Sequence, residues 1–327
     1  MKICLVTGVA GFIGSAVAKR LLEMGYRVIG IDNLSTGILE QVPENVEFYK
    51  MATHEGQMIE LLNSYKFNAI FHIAGQSGGE PSYSNPVYDL QANTQSTLLL
   101  LKYTVDSGCK KFIYASTVSV YGEPRHNLEI PEDALTLPKS FYGVGKLASE
   151  NYLRIYSNQF GLDTVALRLF NIYGPGQNLD NLYQGMTSIF LSQAIRNKHI
   201  HVRGPKDRFR DLVYIDDTVD AFVKMMDSRI KGFNIYNVAT SKKTSVEEII
   251  NEIRINLPFD ITVKYEGTTP GDVFGYTGSN KKIMNDINWI PLTSVKQGIK
   301  TMTKWALKKE SKSCSKIEKD YNNKEIV

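Results

Sequence analysis

A glycine loop set directly after the first apolar run constrains the fold more than any other feature of the chain. The loop Thr7-Gly8-Val9-Ala10-Gly11-Phe12-Ile13-Gly14 closes the run Lys2–Thr7 and opens a helical pattern over Phe12–Met24. A glycine turn there lets backbone approach a diphosphate, whose charge meets the free N–H groups and positive end of the helix. Asp32 ends the second run, Arg27–Asp32, at the spacing of roughly 20 residues expected for a carboxylate that binds an adenosine ribose. A carboxylate repels a 2′-phosphate, and Asn33-Leu34-Ser35 supplies no arginine to hold one, so NAD is expected rather than NADP.

The rest of the first half repeats the pattern. Strands are expected at Val46–Tyr49, Ala69–Ile73, Lys111–Ser116 and Asp163–Leu169, with helices at Glu55–Ser64, Asn85–Ser107 and Phe141–Phe160 between them. Such alternation implies the α/β class: a Rossmann-type doubly wound parallel sheet with ligands at the carboxyl ends of its strands. After Leu169 the pattern loosens into turns at Gly174-Pro175-Gly176, Gly204-Pro205 and Pro270-Gly271, which indicates a smaller C-terminal substrate-binding lobe. The expected division is an NAD-binding domain over 1–170 with a return segment at 211–238, and a lobe over 171–210 and 239–308. A capping box at Ser245–Glu248 opens one helix, and Thr293–Lys308 reads as the last. The polar tail, 309–327, is expected to be frayed, with a charged helical extension as the rival reading.

Several partner classes are excluded by composition. Net charge is +4, and the last twenty residues supply half of it. A near-neutral body gives no reason to expect nucleic acid or a membrane surface as partner. Three scattered cysteines, Cys4, Cys109 and Cys314, form neither a disulfide framework nor a metal site, so no metal is expected. The N-terminus reads as neither signal peptide nor membrane span, and a cytoplasmic protein is expected.

Tyr142 and Lys146 stand four apart on an expected helix, so both side chains leave one face. A free phenol is mostly protonated at neutral pH, and a neighbouring ammonium stabilises its phenolate, which is what a base at an alcohol undergoing oxidation requires.

Seven segments in order carry a resemblance: Asp32–Gly37, His72–Gln76, Ala115–Thr117, Tyr142–Lys146, Arg168–Pro175, Arg210-Asp211 before Tyr214–Asp217, and Tyr236–Ala239. From Val6 to about Trp305 the chain resembles the extended short-chain dehydrogenases, specifically the NAD-dependent nucleotide-sugar epimerases and dehydratases. The resemblance implies a catalytic set of Tyr142, Lys146 and Thr117. It implies cofactor contacts at Gly8, Gly11, Phe12, Ile13, Gly14, Asp32, Asn33, Ala74, Gln76, Ser116 and Lys146. For a nucleotide-sugar substrate it implies Thr117, Tyr142, Asn171, Arg208, Arg210 and Tyr276, with a solvated surface role as the alternative for Arg208. His72 reads as a packing residue beside the cofactor. Relatives pair the helices over Asn85–Ser107 and Phe141–Phe160 across a two-fold axis, which implies a homodimer.

The chain departs from the family at four places. Lys50-Met51-Ala52 stands where a Gly-Asp turn is usual, Ser77–Pro81 is unusually glycine-rich, and Thr269 replaces an arginine before Gly271-Asp272, leaving Arg203 or Arg208 to supply that phosphate contact. Val118 and Ser119 occupy the places where dehydratases of the family carry Asp-Glu. Neither replaces a carboxylic acid, so dehydration and decarboxylation are disfavoured. The expected activity is C4 epimerisation through a 4-keto sugar. The alternatives are a 4-dehydrogenase or ketoreductase, for example on a GDP-hexose or GDP-heptose in bacterial surface polysaccharide synthesis, and a non-catalytic NAD-binding regulator.

Overall fold

The computed structural model describes residues 2–123, 129–183, 185–268 and 273–322, with side chains as far as Ser311. The turn at Pro270-Gly271, the departure at Thr269 and the Gly271-Asp272 that follows it therefore lie outside the described residues, as does the Cys314 side chain.

Seven parallel strands form the central sheet: β1 (Ile3–Thr7), β2 (Arg27–Asp32), β3 (Glu47–Lys50), β4 (Ala69–His72), β5 (Lys111–Thr117), β6 (Asp163–Leu169) and β7 (Phe233–Val238). Their spatial order is β7-β6-β5-β4-β1-β2-β3. The inner strands read as continuous apolar runs because helices cover both faces; β6 is buried along its whole length. The chain winds outward from β1 to β3 and then returns to lay β4 on the other side of β1. That reversal opens a crevice at the carboxyl ends of β1 and β4, which is where ligands bind in such sheets.

The helices Phe12–Glu23 and Phe141–Phe160 stand as the sequence indicates. Ser140 caps the second by accepting from the Gly143 amide at 3.1 Å. The helix expected over Asn85–Ser107 is not uniform. Asn85 caps Pro86–Leu90, the chain then winds as a π-helix over Gln91–Gln95, and α-helix resumes at Ser96–Asp106. Hydroxyls explain the change: Ser96 donates to the Ala92 carbonyl and Thr97 to that of Asn93, both at 2.6 Å, and Ser149 reaches Asn93 from the facing helix at 3.0 Å. Carbonyls so occupied compete with the regular i→i+4 ladder.

Short two-stranded pairs build the rest of the fold. Asn171–Tyr173 lies parallel to Leu212–Tyr214, and His199–Arg203 to Thr262–Glu266. Phe209–Arg210 runs antiparallel to Thr244–Ser245, whose capping box opens the helix Val246–Ile255. Two buried polar residues tie these pieces to the sheet. Asp211 accepts from the amides of Thr240, Ser241 and Gly278, and Asn237 on β7 donates to the carbonyls of Ile130 and Ser279.

The last helix runs Val295–Asn322, past the Thr293–Lys308 expected of it. Its backbone thus takes up most of the tail, and the helical extension rather than a frayed end is what the structure describes. No glycine or proline follows Gly298, and lysine and glutamate are good helix formers. Among the described residues no helix is long and apolar enough to cross a membrane.

Candidate functional site

The crevice beside β1 is a cleft lined by Gly8, Gly11, Phe12, Ile13, Gly14, Asp32, Asn33 and Ala74. Two of the glycines are dictated by space. Gly8 has φ +73°, and a Cβ there would lie 2.8 Å from the Ala74 amide nitrogen; at Gly14 it would lie 2.0 Å from the Gly8 carbonyl oxygen. Loop, helix and the turn after β4 can close together only without side chains at these points. The Asp32 carboxylate, nearly buried at the end of β2, accepts from the amides of Ala10 at 3.1 Å and Leu34 at 2.8 Å. Burial raises its pKa and those two amides pull it back. A fixed carboxylate at the mouth of a glycine cleft suits a ribose diol and repels a phosphate in its place.

Further lining residues were not legible as such. Met51, Thr53, His54 and Tyr88 close one end of the cleft, and Gln177 and Asn178 enter from the turn after Tyr173. Gln41 ties that turn down by donating to the Gly176 carbonyl at 2.7 Å. Met51 belongs to the departing Lys50-Met51-Ala52, so an apolar wall stands where a carboxylate is usual.

The second group of residues sits where β5 meets the helix Phe141–Phe160. Lys146 is 4% exposed, donates to the Ala115 carbonyl at 2.9 Å, and lies 4.7 Å from the Tyr114 ring centre and 5.8 Å from that of Tyr142. Burial pushes its ammonium down to about 8, against the pull of Asp89 and Glu150. Burial pushes the Tyr142 phenol up to about 12, and a hydrogen bond with the Thr117 side chain works the other way. Thr117, at the end of β5, donates to the Ser119 hydroxyl at 3.2 Å. A Cβ on Gly75, which lines the cleft, would lie 3.3 Å from Lys146 Nζ. The Tyr142–Lys146–Thr117 group therefore adjoins the cleft.

Two expected cofactor residues are placed less directly. Ser116 is buried and donates to Glu150 at 2.5 Å, which turns its hydroxyl away and leaves only its backbone for a ligand. The Gln76 side chain donates to the Ser77 carbonyl at 3.2 Å and is not part of the cleft lining, whereas Ser77 is. His72 is wholly enclosed, with Thr7 at 2.8 Å and Thr97 at 3.1 Å on its two ring nitrogens. Burial pushes its imidazole down to about 3, so it is a neutral packing residue.

The third group surrounds Asp211. Asn171 donates to the Asp211 carbonyl at 3.3 Å, and Arg210 to that of Phe209 at 2.7 Å. Arg208 and Arg210 are both buried, two apart and hence on one face of their segment, and burial pushes Arg210 down to about 10. The solvated reading of Arg208 is thereby corrected: packing against Gly204 and the Phe209–Arg210 strand withdraws it from bulk water. Arg203 is exposed at the end of its strand. The Tyr276 ring meets Phe170 edge to face at 6.0 Å between centres. Among the described residues no group of three or more His, Cys, Asp or Glu is placed to hold a metal.

Residues 4–239 match the model of the NAD dependent epimerase/dehydratase family. The chain is 32% identical to a putative UDP-glucose 4-epimerase of Methanocaldococcus jannaschii, over 92% of this chain and 97% of that one. It is likewise 32% identical to a UDP-glucose 4-epimerase of Mycolicibacterium smegmatis, over 90% and 95%. The crystal structure of UDP-glucose 4-epimerase with UDP-glucose from Thermotoga maritima superposes with a TM-score of 0.90 at 32% identity, covering 94% of this chain and 99% of that chain.

Proposed function

The chain belongs to the NAD-dependent epimerase/dehydratase family, and from that premise we propose that it inverts C4 of a UDP-activated sugar through a 4-keto intermediate. The observation that carries this reading is the buried Lys146 paired with the half-buried Tyr142 beside Thr117, adjoining a cleft whose glycines and Asp32 suit NAD. NAD bound there supplies the acceptor, and afterwards the donor, of the hydride.

Tyr142 takes the proton of the C4 hydroxyl as hydride leaves that carbon, and returns it once the keto sugar has turned its other face. Burial holds the phenol up at about 12, so the reaction depends on a positive charge beside it, which Lys146 supplies. The Thr117 hydroxyl polarises the sugar oxygen. Val118 is buried and Ser119 is bound to Thr117; neither offers the acid that loss of water across C5–C6 needs. Asn171 and Arg210 hold the diphosphate of the substrate, with Arg208 adding to them and Tyr276 on the sugar side, and the lobe over 171–210 and 239–308 is the substrate-binding part of the chain. Relatives that act on UDP-glucose support the UDP-sugar class.

Exposed Val87 and Leu90 on one helix, with Phe141 and Val144 on its neighbour, support a two-fold dimer through these helices. Light scattering should return twice the 36.8 kDa of the chain.

The activity is tested by incubating the protein with UDP-glucose, UDP-galactose, UDP-glucuronate, GDP-mannose and dTDP-glucose and following products by mass and NMR. An inverted C4 centre at unchanged mass, with NAD recovered, is expected. A product lighter by one dihydrogen, with NADH accumulating, would make the protein a 4-dehydrogenase instead.

A further inference from the structure

Lys146 is a buried cation whose only hydrogen-bond acceptor among the described residues is a neutral carbonyl, that of Ala115. Its surroundings come from four elements. His72 faces it from β4 and Tyr114 from β5, while Tyr142 and Glu150 belong to its own helix and Asp89 to Pro86–Leu90. Glu150 is already matched, because Arg168 holds both of its oxygens at 3.0 and 2.7 Å and Ser116 adds a third bond. His72 is neutral at any working pH, and burial keeps the Tyr114 and Tyr142 phenols protonated in the protein alone. Among the described residues Asp89 is left as the one anion nearby with no closer cation of its own.

Asp89 is 1% exposed. Its Oδ1 accepts from Asn93 Nδ2 at 3.1 Å, and its Oδ2 would lie 3.4 Å from a Cβ on Gly145, the residue before Lys146. Asn93 Nδ2 also donates to the Gln76 carbonyl at 3.1 Å. Asn93 Oδ1 is buried without a hydrogen-bond partner and faces Gly75, the same point that Lys146 Nζ faces. The π-helical stretch Gln91–Gln95 carries Asn93 into this position, and such stretches collect at functional sites. A buried carboxylate is costly to keep without a task or a partner.

We propose that Asp89 is a positioning residue of the catalytic pair: oriented by Asn93, it keeps Lys146 charged and so lets Tyr142 act as base. This rests on the reading of Tyr142 and Lys146 as the acid–base pair. The coupling runs both ways. Burial raises the Asp89 carboxyl to about 6 and Lys146 pulls it back, while burial lowers Lys146 to about 8 and Asp89 holds it up. At neutral pH the carboxylate and ammonium coexist. Asp89 also opposes ionisation of Tyr142, but this is the smallest influence on that phenol. Removing Asp89 therefore eases the phenol slightly and takes the charge from Lys146.

The test uses the NAD-loaded protein with ¹³Cε-labelled lysine, the Lys146 signal being assigned from Lys146→Met. In Asp89→Asn the titration midpoint of Lys146 is expected to fall by about one unit, a tenfold change in its protonation equilibrium, and Asp89→Glu is expected to restore it. The alkaline limb of the turnover profile should move down with it and return in Asp89→Glu. If Asp89→Asn does not fold, Asp89→Ser carries the same comparison. A midpoint unmoved in the neutral variant overturns the proposal. A midpoint that falls in a protein turning over none of the offered sugars supports the coupling, and the reaction assignment is then what fails.

Discussion

Glu150 and Arg168 form a two-pronged ion pair in the interior, 2% and 3% exposed, with the guanidinium also reaching the Glu132 carbonyl at 2.9 Å and stacked 4.6 Å from the Tyr121 ring centre. Glu150 projects from the helix that carries Tyr142 and Lys146, and Arg168 from β6, so the pair fixes that helix against the sheet. Removing one partner leaves a buried charge unmatched, which costs about 3–5 kcal/mol. Arg168→Met is expected to lose that much stability in urea unfolding monitored by circular dichroism. A loss under about 1 kcal/mol would mean that the pair is not what anchors the helix.

Tyr142→Phe removes one oxygen and leaves the cleft intact. Turnover is expected to fall at least about 10²–10⁴-fold, the usual worth of a positioned proton-transfer group, while the protein still retains NAD through gel filtration. Undiminished turnover in this variant would remove Tyr142 from the mechanism. Loss of NAD along with activity would instead give the phenol a role in holding the cofactor.

Much of this arrangement can be read from residue order, and what cannot has identifiable causes. β1, β2 and β6 are legible because their runs are apolar and bounded by turns, and the cleft glycines because loop and helix cannot approach otherwise. The Tyr142–Lys146 spacing places both on one helix face whatever surrounds them. The π-helical stretch was not legible, since it depends on Ser149 reaching Asn93 across a space of 56 residues in the chain. Asp89 was missed for the same reason: as a polar residue near a helix start it looks solvated, and only the packing of Phe141–Phe160 encloses it. Arg208 looked equally solvated, and Ser116 gave no sign that Glu150 would claim its hydroxyl.

Cofactor choice should follow the charge at Asp32. Both of its oxygens accept from backbone amides; Asp32→Asn keeps the outline and removes the repulsion toward a 2′-phosphate, though its NH2 leaves one of those two amides without an acceptor. Losing a charged hydrogen-bond acceptor costs about 1.5–3 kcal/mol, so NAD affinity by calorimetry should weaken roughly tenfold to hundredfold, while NADP binding improves relative to NAD. Unchanged discrimination between the two would place the ribose elsewhere.

His72 should make the fold acid-sensitive. Its pKa is pushed down from 6.5 to about 3 by burial, with the Lys146 charge adding in the same direction. The unfolded chain therefore binds a proton on this ring between about pH 6.5 and 3 that the folded protein refuses, and stability rises with pH across that window. The contribution is fully present above pH 6.5 and drains away as the pH falls toward 3, on the order of 5 kcal/mol in all. His72→Gln, which can still hydrogen-bond Thr7 or Thr97, is expected to be less stable than the parent at pH 7.5 and to show a flatter decline between pH 6.5 and 4.5 in urea titrations. Parallel declines in parent and variant would assign the acid sensitivity to other groups and would mean that His72 titrates alike in the folded and the unfolded chain.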